Sequence, residues 1–247
     1  MKHSIILFLA GALLLPLGGY AQTTLQRSFP VQAGQTIALE FDHPRLIKVS
    51  TWDKNDVAIQ GTVSINHGEH DDAFVLEPKT NGKILTIRNE IRDLNKLPRI
   101  YTIVQGGQTM TFQTRDAMRK YQAEHPGGFE RMSEGVDIEI VLEIKVPRGI
   151  PTQITSVYGM VEVRSFQGPI SVASTYGGVD AAVAEKTTGQ IKAETNYGEI
   201  FSNLDTRLTG NPNDPEDFHL LVAGNAGTGP NCSFQSRYGN VYLRKAN

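Results

Sequence analysis

The phrase Ser/Thr-x-Tyr-Gly-x-Val/Ile occurs four times between Ser156 and Leu243, and it constrains what this chain can fold into more than any other feature. The copies are Ser156-Val157-Tyr158-Gly159-Met160-Val161, Ser174-Thr175-Tyr176-Gly177-Gly178-Val179, Thr195-Asn196-Tyr197-Gly198-Glu199-Ile200 and Ser236-Arg237-Tyr238-Gly239-Asn240-Val241. Inside it lies a shorter unit, Gly-x-Val/Ile-x-small or apolar, which starts at Gly159, Gly168, Gly177, Gly189, Gly198 and Gly239. The first five starts are spaced by 9, 9, 12 and 9 residues. Such a unit is one strand plus one corner, so two units make one coil. Copies with Tyr alternate with Tyr-free copies at Gly168 and Gly189, which gives each coil two kinds of corner. A short fixed period predicts an all-β fold, a parallel β-solenoid of two-strand coils.

Side chains alternate faces along a strand. Val161 and Val163, Ile170 and Val172, Val179 and Ala181, Ile191 and Ala193, Ile200 and Ser202, and Val241 and Leu243 therefore share the inward parity. So do the hydroxyl residue and the Tyr of each phrase. Ser156, Ser174, Thr195 and Ser236 are expected as an inner column, with Tyr158, Tyr176, Tyr197 and Tyr238 stacked beside it at the corner. Neighbouring strands lie ~4.8 Å apart, so rings can stack at that repeat. The expectation is a packing ladder rather than a binding platform. Gly159, Gly177, Gly198 and Gly239 are expected to supply turn dihedrals.

Upstream, the chain reads as strands. Ile37, Leu39 and Phe41 alternate on one face. Ile47 and Val49, then Val57 and Ile59, flank a turn at Asp53 to Asp56, with Trp52 at the corner. Phe74 to Leu76 and Ile84 to Ile87 form a hairpin around Pro78 to Gly82. Residues 93–135 break the pattern and read as an insertion, with a hairpin tip at Val104 to Met110. Thr114 caps one short helix, Arg115 to Glu124, that ends before Pro126-Gly127-Gly128. Val136 to Val146 resumes the strand pattern. After Leu204 the rhythm lapses into long loops over 205–231, interrupted by a strand at Phe218 to Ala223, and Arg244-Lys245 is expected to blunt an exposed sheet edge.

Residues 1–21 read as a signal peptide: Lys2 and His3, an apolar run Ile5 to Leu17, then Gly19-Tyr20-Ala21. An uncleaved anchor is the alternative. The expected location is exported, either periplasmic or extracellular at the cell surface, with no transmembrane span after signal removal. Net charge is −2 over 247 residues with both signs interspersed, which gives no footprint for nucleic acid. The single cysteine, Cys232, cannot close an intramolecular disulfide and is expected to be buried as a small apolar residue.

Candidate chemistry is sparse. His67, Glu69, His70, Asp71 and Asp72 have metal-ligating types, and Asp205, Asp214, Glu216 and Asp217 are calcium-type carboxylates. The first set is closely spaced but reads as a solvated hairpin tip with no further ligands nearby in sequence, and the second lacks the regular spacing of a calcium loop and reads as a solvated loop, so no metal and no cofactor is expected. Glu162 and Asp180 occupy equivalent outward positions of successive Tyr-containing copies, followed by Phe201 and Tyr242. Two outward carboxylates could flank a glycosidic bond, which makes a carbohydrate-active enzyme the alternative reading. No nucleophile elbow, phosphate loop or paired-Cys motif is present.

The Gly-x-Val/Ile-x-Val/Ala series resembles the bacterial putative-adhesin family of unknown function, related to the head domains of putative auto-transporter adhesins. Ile47-x-Val49-x-x-Trp52-Asp53-x-x-x-Val57-x-Ile59 and Ile144-x-Val146-Pro147 are similar to that family's phrases as well. The resemblance implies an exported β-solenoid with no assigned catalytic residues. Residues 22–247 are then expected as one adhesin-like β-solenoid domain. Its expected role is a non-enzymatic cell-envelope binding, adhesion or scaffolding module, with an envelope protein or a glycan as partner.

Overall fold

The computed structural model of the chain describes residues 23–210 and 218–246. The signal-peptide segment, Asp214, Glu216 and Asp217 lie outside them. In chain order, β1 (Thr23–Pro30), β2 (Thr36–Phe41), β3 (Leu46–Trp52) and β4 (Asp56–Ile65) are followed by the hairpin β5 (Phe74–Asn81) and β6 (Ile84–Ile91). Then come β7 (Ile100–Gln105), β8 (Gln108–Phe112), α1 (Arg115–Glu124), β9 (Arg131–Gly135) and β10 (Ile138–Pro147). The repeat region supplies β11 (Thr152–Ser156), β12 (Met160–Val163), β13 (Ile170–Ser174), β14 (Val179–Val183), β15 (Gln190–Thr195) and β16 (Ile200–Ser202). After it come β17 (Thr209–Gly210), β18 (Leu220–Asn225), β19 (Cys232–Ser236) and β20 (Val241–Lys245).

Two large sheets hold the core between them. One runs β1-β4-β10-β3-β12-β14-β20-β16 and the other β17-β18-β15-β19-β13-β11-β2-β6-β5. The chain is all-β apart from α1 and three short 3-10 turns among the described residues. Consecutive repeat strands fall in alternate sheets, as the one-strand-per-unit reading predicts. Within each sheet they pair in parallel, Ile154 beside Val172 and Val161 beside Val179.

A wholly parallel stack is not what forms. Both large sheets are mixed. β1, β4 and β10 pair antiparallel at one end of the first sheet. β5–β6 and β15–β18 do so towards the two ends of the second. Nor does the stack follow chain order: β19 lies between β13 and β15, and β20 between β14 and β16. Arg244 and Lys245 therefore lie on an inner strand, beside Ala182 and Val183 of β14. The edge strand is β16, which is why Ile200 is only half-buried and Ser202 exposed instead of inward and covered.

The other inward positions within the strands are buried. Ile37, Leu39, Phe41, Ile47, Val49, Val161, Val172, Val179, Ile191, Phe234 and Val241 belong to one cluster. Alternation in the strands produces this: β2 and β12 bury every second residue. Pro78 is not in a turn. It sits within edge strand β5, where its missing N–H breaks no ladder, and the hairpin closes at Gly82 in the left-handed region. Segment 93–135 forms its own three-stranded antiparallel sheet, β8-β7-β9, with α1 against it. The Thr114 hydroxyl accepts the Ala117 N–H at 3.2 Å as helix cap.

Candidate binding face

The corners that follow β11, β13, β19 and β15 are built from one set of bonds. Ser156, Ser174, Ser236 and Thr195 are buried. Each of Ser156, Ser236 and Thr195 accepts the N–H of the Gly three residues on, at 3.1, 2.9 and 3.1 Å. Ser174, Ser236 and Thr195 donate to a glycine carbonyl of the neighbouring corner: Gly159 at 3.3 Å, Gly177 at 2.7 Å and Gly239 at 2.9 Å. Ser236 and Thr195 thus both close their own turn and staple it to the next, while Ser156 closes its own and Ser174 bonds the neighbouring corner. The glycines are needed for a different reason than turn dihedrals. Gly159, Gly177, Gly198 and Gly239 are absent from the glycines with positive φ. A Cβ on Gly177 would meet the Gly159 carbonyl oxygen at 2.1 Å, and one on Gly198 would meet the Gly239 oxygen at 2.1 Å. Backbone-to-backbone approach between stacked corners is what excludes a side chain.

That approach sets the tyrosines. Tyr158 and Tyr176 stack at 5.4 Å, Tyr176 and Tyr238 at 5.2 Å, and Tyr238 and Tyr197 at 5.1 Å, with interplanar angles of 8–10°. Tyr238 stands between Tyr176 and Tyr197, out of chain order. The rings do not turn inward as strand parity suggests. Once the chain leaves the strand at the buried hydroxyl residue, parity no longer applies, and the rings are 42–59% exposed. Because they stack face to face, the column offers solvent its ring edges and a row of phenol groups, while the faces cover one another. His43 closes one end at 6.1 Å from Tyr158, and Phe218 the other at 5.8 Å from Tyr197. Burial pushes the His43 imidazole below its ordinary value, more strongly than Asp42 raises it. Neither end residue carries a repeat signal in the sequence. The Arg237 guanidinium lies 5.3 Å from the Tyr238 ring centre and gives the column a cationic flank.

The second candidate row lies on the outer face of the first sheet. Register places Gln26, Gln60, Glu143, Lys48, Glu162, Asp180, Tyr242 and Phe201 side by side across it. Phe201 and Tyr242 stack at 5.1 Å, but Tyr242 rather than Phe201 adjoins Asp180. The carboxylates are matched by cations. Lys48 Nζ is 3.8 Å from Glu143, and Arg164 is 3.7 Å from Glu162. Asp180 is buried, at 6% exposure, between Arg164 at 3.0 Å and Arg244 at 2.9 Å. Burial alone would raise its pKa. The two guanidiniums outweigh that and hold the carboxyl below its ordinary range. Sequence position places Asp180 outward, and outward it is, yet the long arms of Arg164 and Arg244 cover it.

A group with a depressed folded pKa stabilises the fold above its unfolded pKa, and that stability is lost as pH falls through the folded value. Asp180 thus contributes fully at neutral pH and progressively less below its ordinary value of 3.8. Asp180→Asn is expected to lower the urea midpoint at pH 7 and to flatten its fall between pH 4 and pH 2. An unchanged acid limb in the variant would show that the clamp is not what titrates.

The metal-type residues are employed otherwise. Asp71 is buried and accepts the backbone N–H of Ile65 at 2.7 Å and of Thr23 at 3.2 Å. His67 Nδ1 lies 3.6 Å from Asp137, and Asp205 takes Lys245 at 2.6 Å. Among the described residues no three His, Cys, Asp or Glu gather as a metal site. Cys232 is half-buried, and burial pushes its thiol up to about 11. No described helix is long and apolar enough to cross a membrane.

No family model matches the chain, and no curated protein matches it. Solved structures do. A putative cell adhesion protein from Clostridium sporogenes is similar over 91% of this chain and 100% of its own, at 10% identity and a TM-score of 0.45. A putative adhesin from Bacteroides fragilis is similar over 92% and 98%, at 14% identity and a TM-score of 0.33. A putative lipid binding protein from Parabacteroides distasonis is similar over 91% and 97%, at 10% identity and 0.23. At these identities and TM-scores the likeness assigns the chain no role.

Proposed function

We propose that this chain is an exported, non-enzymatic binding module of the cell envelope and that its ligand lies along the tyrosine column. On this reading residues 1–21 are the signal peptide and 22–247 one domain. The parallel middle of the two sheets is a short solenoid segment that displays the column. The observation that carries the reading is the exposure of Tyr158, Tyr176, Tyr238 and Tyr197 in one unbroken stack. Large contiguous aromatic exposure is uncommon on a soluble surface and marks contact sites. Buried stacking alone would suffice for a packing ladder, and it would not leave half of each ring in water.

The chemistry of the column favours a glycan. A row of phenol edges offers hydrogen bonds and C–H surface at a repeat of 5.1–5.4 Å. That repeat is close to the length of one pyranose unit in an extended, equatorially linked polysaccharide. An extended peptide has a different repeat, two residues at ~3.3 Å each. The enzyme reading through Glu162 and Asp180 is weakened by the clamp. A buried carboxylate held ionised by two arginines has neither the proton for a general acid nor the access for a nucleophile.

Tyr176→Phe with Tyr238→Phe tests the reading, because it keeps the stack and deletes two hydroxyls. A hydrogen bond contributes about 0.5–1.5 kcal/mol net. The double variant is therefore expected to bind insoluble β-linked polysaccharide about 5- to 150-fold more weakly, with an unchanged urea midpoint. Undiminished binding by the double variant, or hydrolysis of the polysaccharide by the parent protein, would remove it.

A further inference from the structure

The last two strands in the chain are not the last in space. The parallel pairs lie in the order β11/β12, β13/β14, β19/β20, β15/β16. β19 pairs in parallel with β13 on one side and β15 on the other, Phe234 standing between Val172 and Ala193. β20 does the same between β14 and β16, with Val241 between Val179 and Ile200. Everything up to Asn225 can be laid down before Cys232 to Lys245 arrive. Laid down without them, it has a slot walled by four strand edges, two in each sheet. An unpaired edge is a template for another strand. Here four of them flank the place that β19 and β20 occupy in one defined register.

The slot also carries specific hooks for its occupant. The Gly177 carbonyl accepts the Ser236 hydroxyl at 2.7 Å. Thr195 donates to the Gly239 carbonyl at 2.9 Å. Asp180 takes Arg244 at 2.9 Å, and the Val183 carbonyl takes the Ala246 N–H at 3.0 Å. Tyr238 fills the gap in the aromatic column between Tyr176 and Tyr197.

We propose that this slot is a strand-acceptor site and that its ligand in trans is the same C-terminal segment of a second copy of the chain. The second copy has the sequence the slot fits, so every pairing and hook is reproduced between chains. Only residues 226–231, which connect β18 to β19, change path. Exchange of identical elements is a low-cost route to dimers because intrachain and interchain contacts are the same. The intrachain segment wins at low concentration because its effective concentration is high. Packing many copies together on a surface, or transient loosening of the segment, shifts the balance to exchange. Two copies joined in this way carry two tyrosine columns, so exchange adds valency to the module without any new contact.

The test uses the full mature chain with Cys232→Ser, Ala173→Cys and Gln235→Cys. Residues 173 and 235 are partners across β13 and β19. Neighbouring strands lie ~4.8 Å apart, within the reach of a disulfide. Oxidation closes the slot on its own segment, and reduction reopens it in the same protein. Two differently sized tagged copies are mixed at high concentration in mild denaturant, diluted, and read by size exclusion with light scattering. Reduced protein is expected to yield mixed dimers, and oxidised monomer to yield none. Failure of the reduced protein to form mixed dimers overturns the proposal. So does equal dimer formation by the oxidised protein, which would place the contact elsewhere.

Discussion

Gly177→Ala is expected to destabilise the fold by about 3 kcal/mol, at the upper end of what one added methyl costs in a packed site. The new Cβ would lie 2.1 Å from the Gly159 carbonyl oxygen, 2.4 Å from its carbon and 2.9 Å from Met160 nitrogen. All three atoms are backbone, so no rotamer change relieves the clash. The corners must separate, and separation breaks more than one contact. The Gly177 carbonyl holds the Ser236 hydroxyl, and Tyr176 stacks on both Tyr158 and Tyr238. For a chain of this size the change corresponds to a fall in Tm of about 6–12 °C. Gly34→Ala is the matched control. Gly34 has positive φ, but a Cβ there would meet nothing within 4 Å, so the cost is dihedral strain alone, about 1 kcal/mol. Scanning calorimetry of the two variants separates the causes. If they lose the same stability, close approach is not why glycine occupies the corner.

The same glycines show where the sequence is readable and where it is not. A recurring Tyr-Gly marks a corner whatever the reason for the glycine, so strand positions, alternate-sheet placement and the hydroxyl column all follow from the phrase. The reason itself depends on what stacks against the corner, which no local pattern records. Order in the stack is hidden for a related cause. All four corners carry the same phrase, so the phrase alone does not say whether Ser236 or Thr195 sits on Gly177, and the chemistry of one corner does not name its neighbour. The insertion of β19 and β20 is decided by β18, which turns back along β15 and delivers the chain into the gap. Strands β1 and β9 leave little trace because Thr23–Pro30 and Arg131–Gly135 bury almost nothing and have no alternation to read. Asp180 looks like a free outward carboxylate in sequence. Its burial comes from Arg164 and Arg244, which reach it from either side and meet over it. The tyrosines are legible as a column and not as a surface, since parity stops being informative at the corner residue.

Phe234→Ala is expected to destabilise the protein by about 3–5 kcal/mol, the range for truncating a buried aromatic side chain. Phe234 and Phe41 are the largest side chains that are fully buried. Phe234 lies in the slot strand β19, between Val172 and the small Ala193. A bulky ring beside Ala193 fills space that Ala193 leaves, so truncation opens a cavity that no neighbour can fill without moving a sheet. The urea midpoint should drop with the slope unchanged, because the same surface is exposed on unfolding. Phe234→Leu should cost less than ~1.5 kcal/mol, since it keeps most of the volume. Phe218→Ala is the useful contrast. That ring is 67% exposed at the end of the tyrosine column, and its removal should change stability by no more than ~0.5 kcal/mol. Equal losses at the two positions would mean that β19 contributes no more to the core than a surface ring does. The strand would then be a peripheral attachment instead of the piece that closes both sheets.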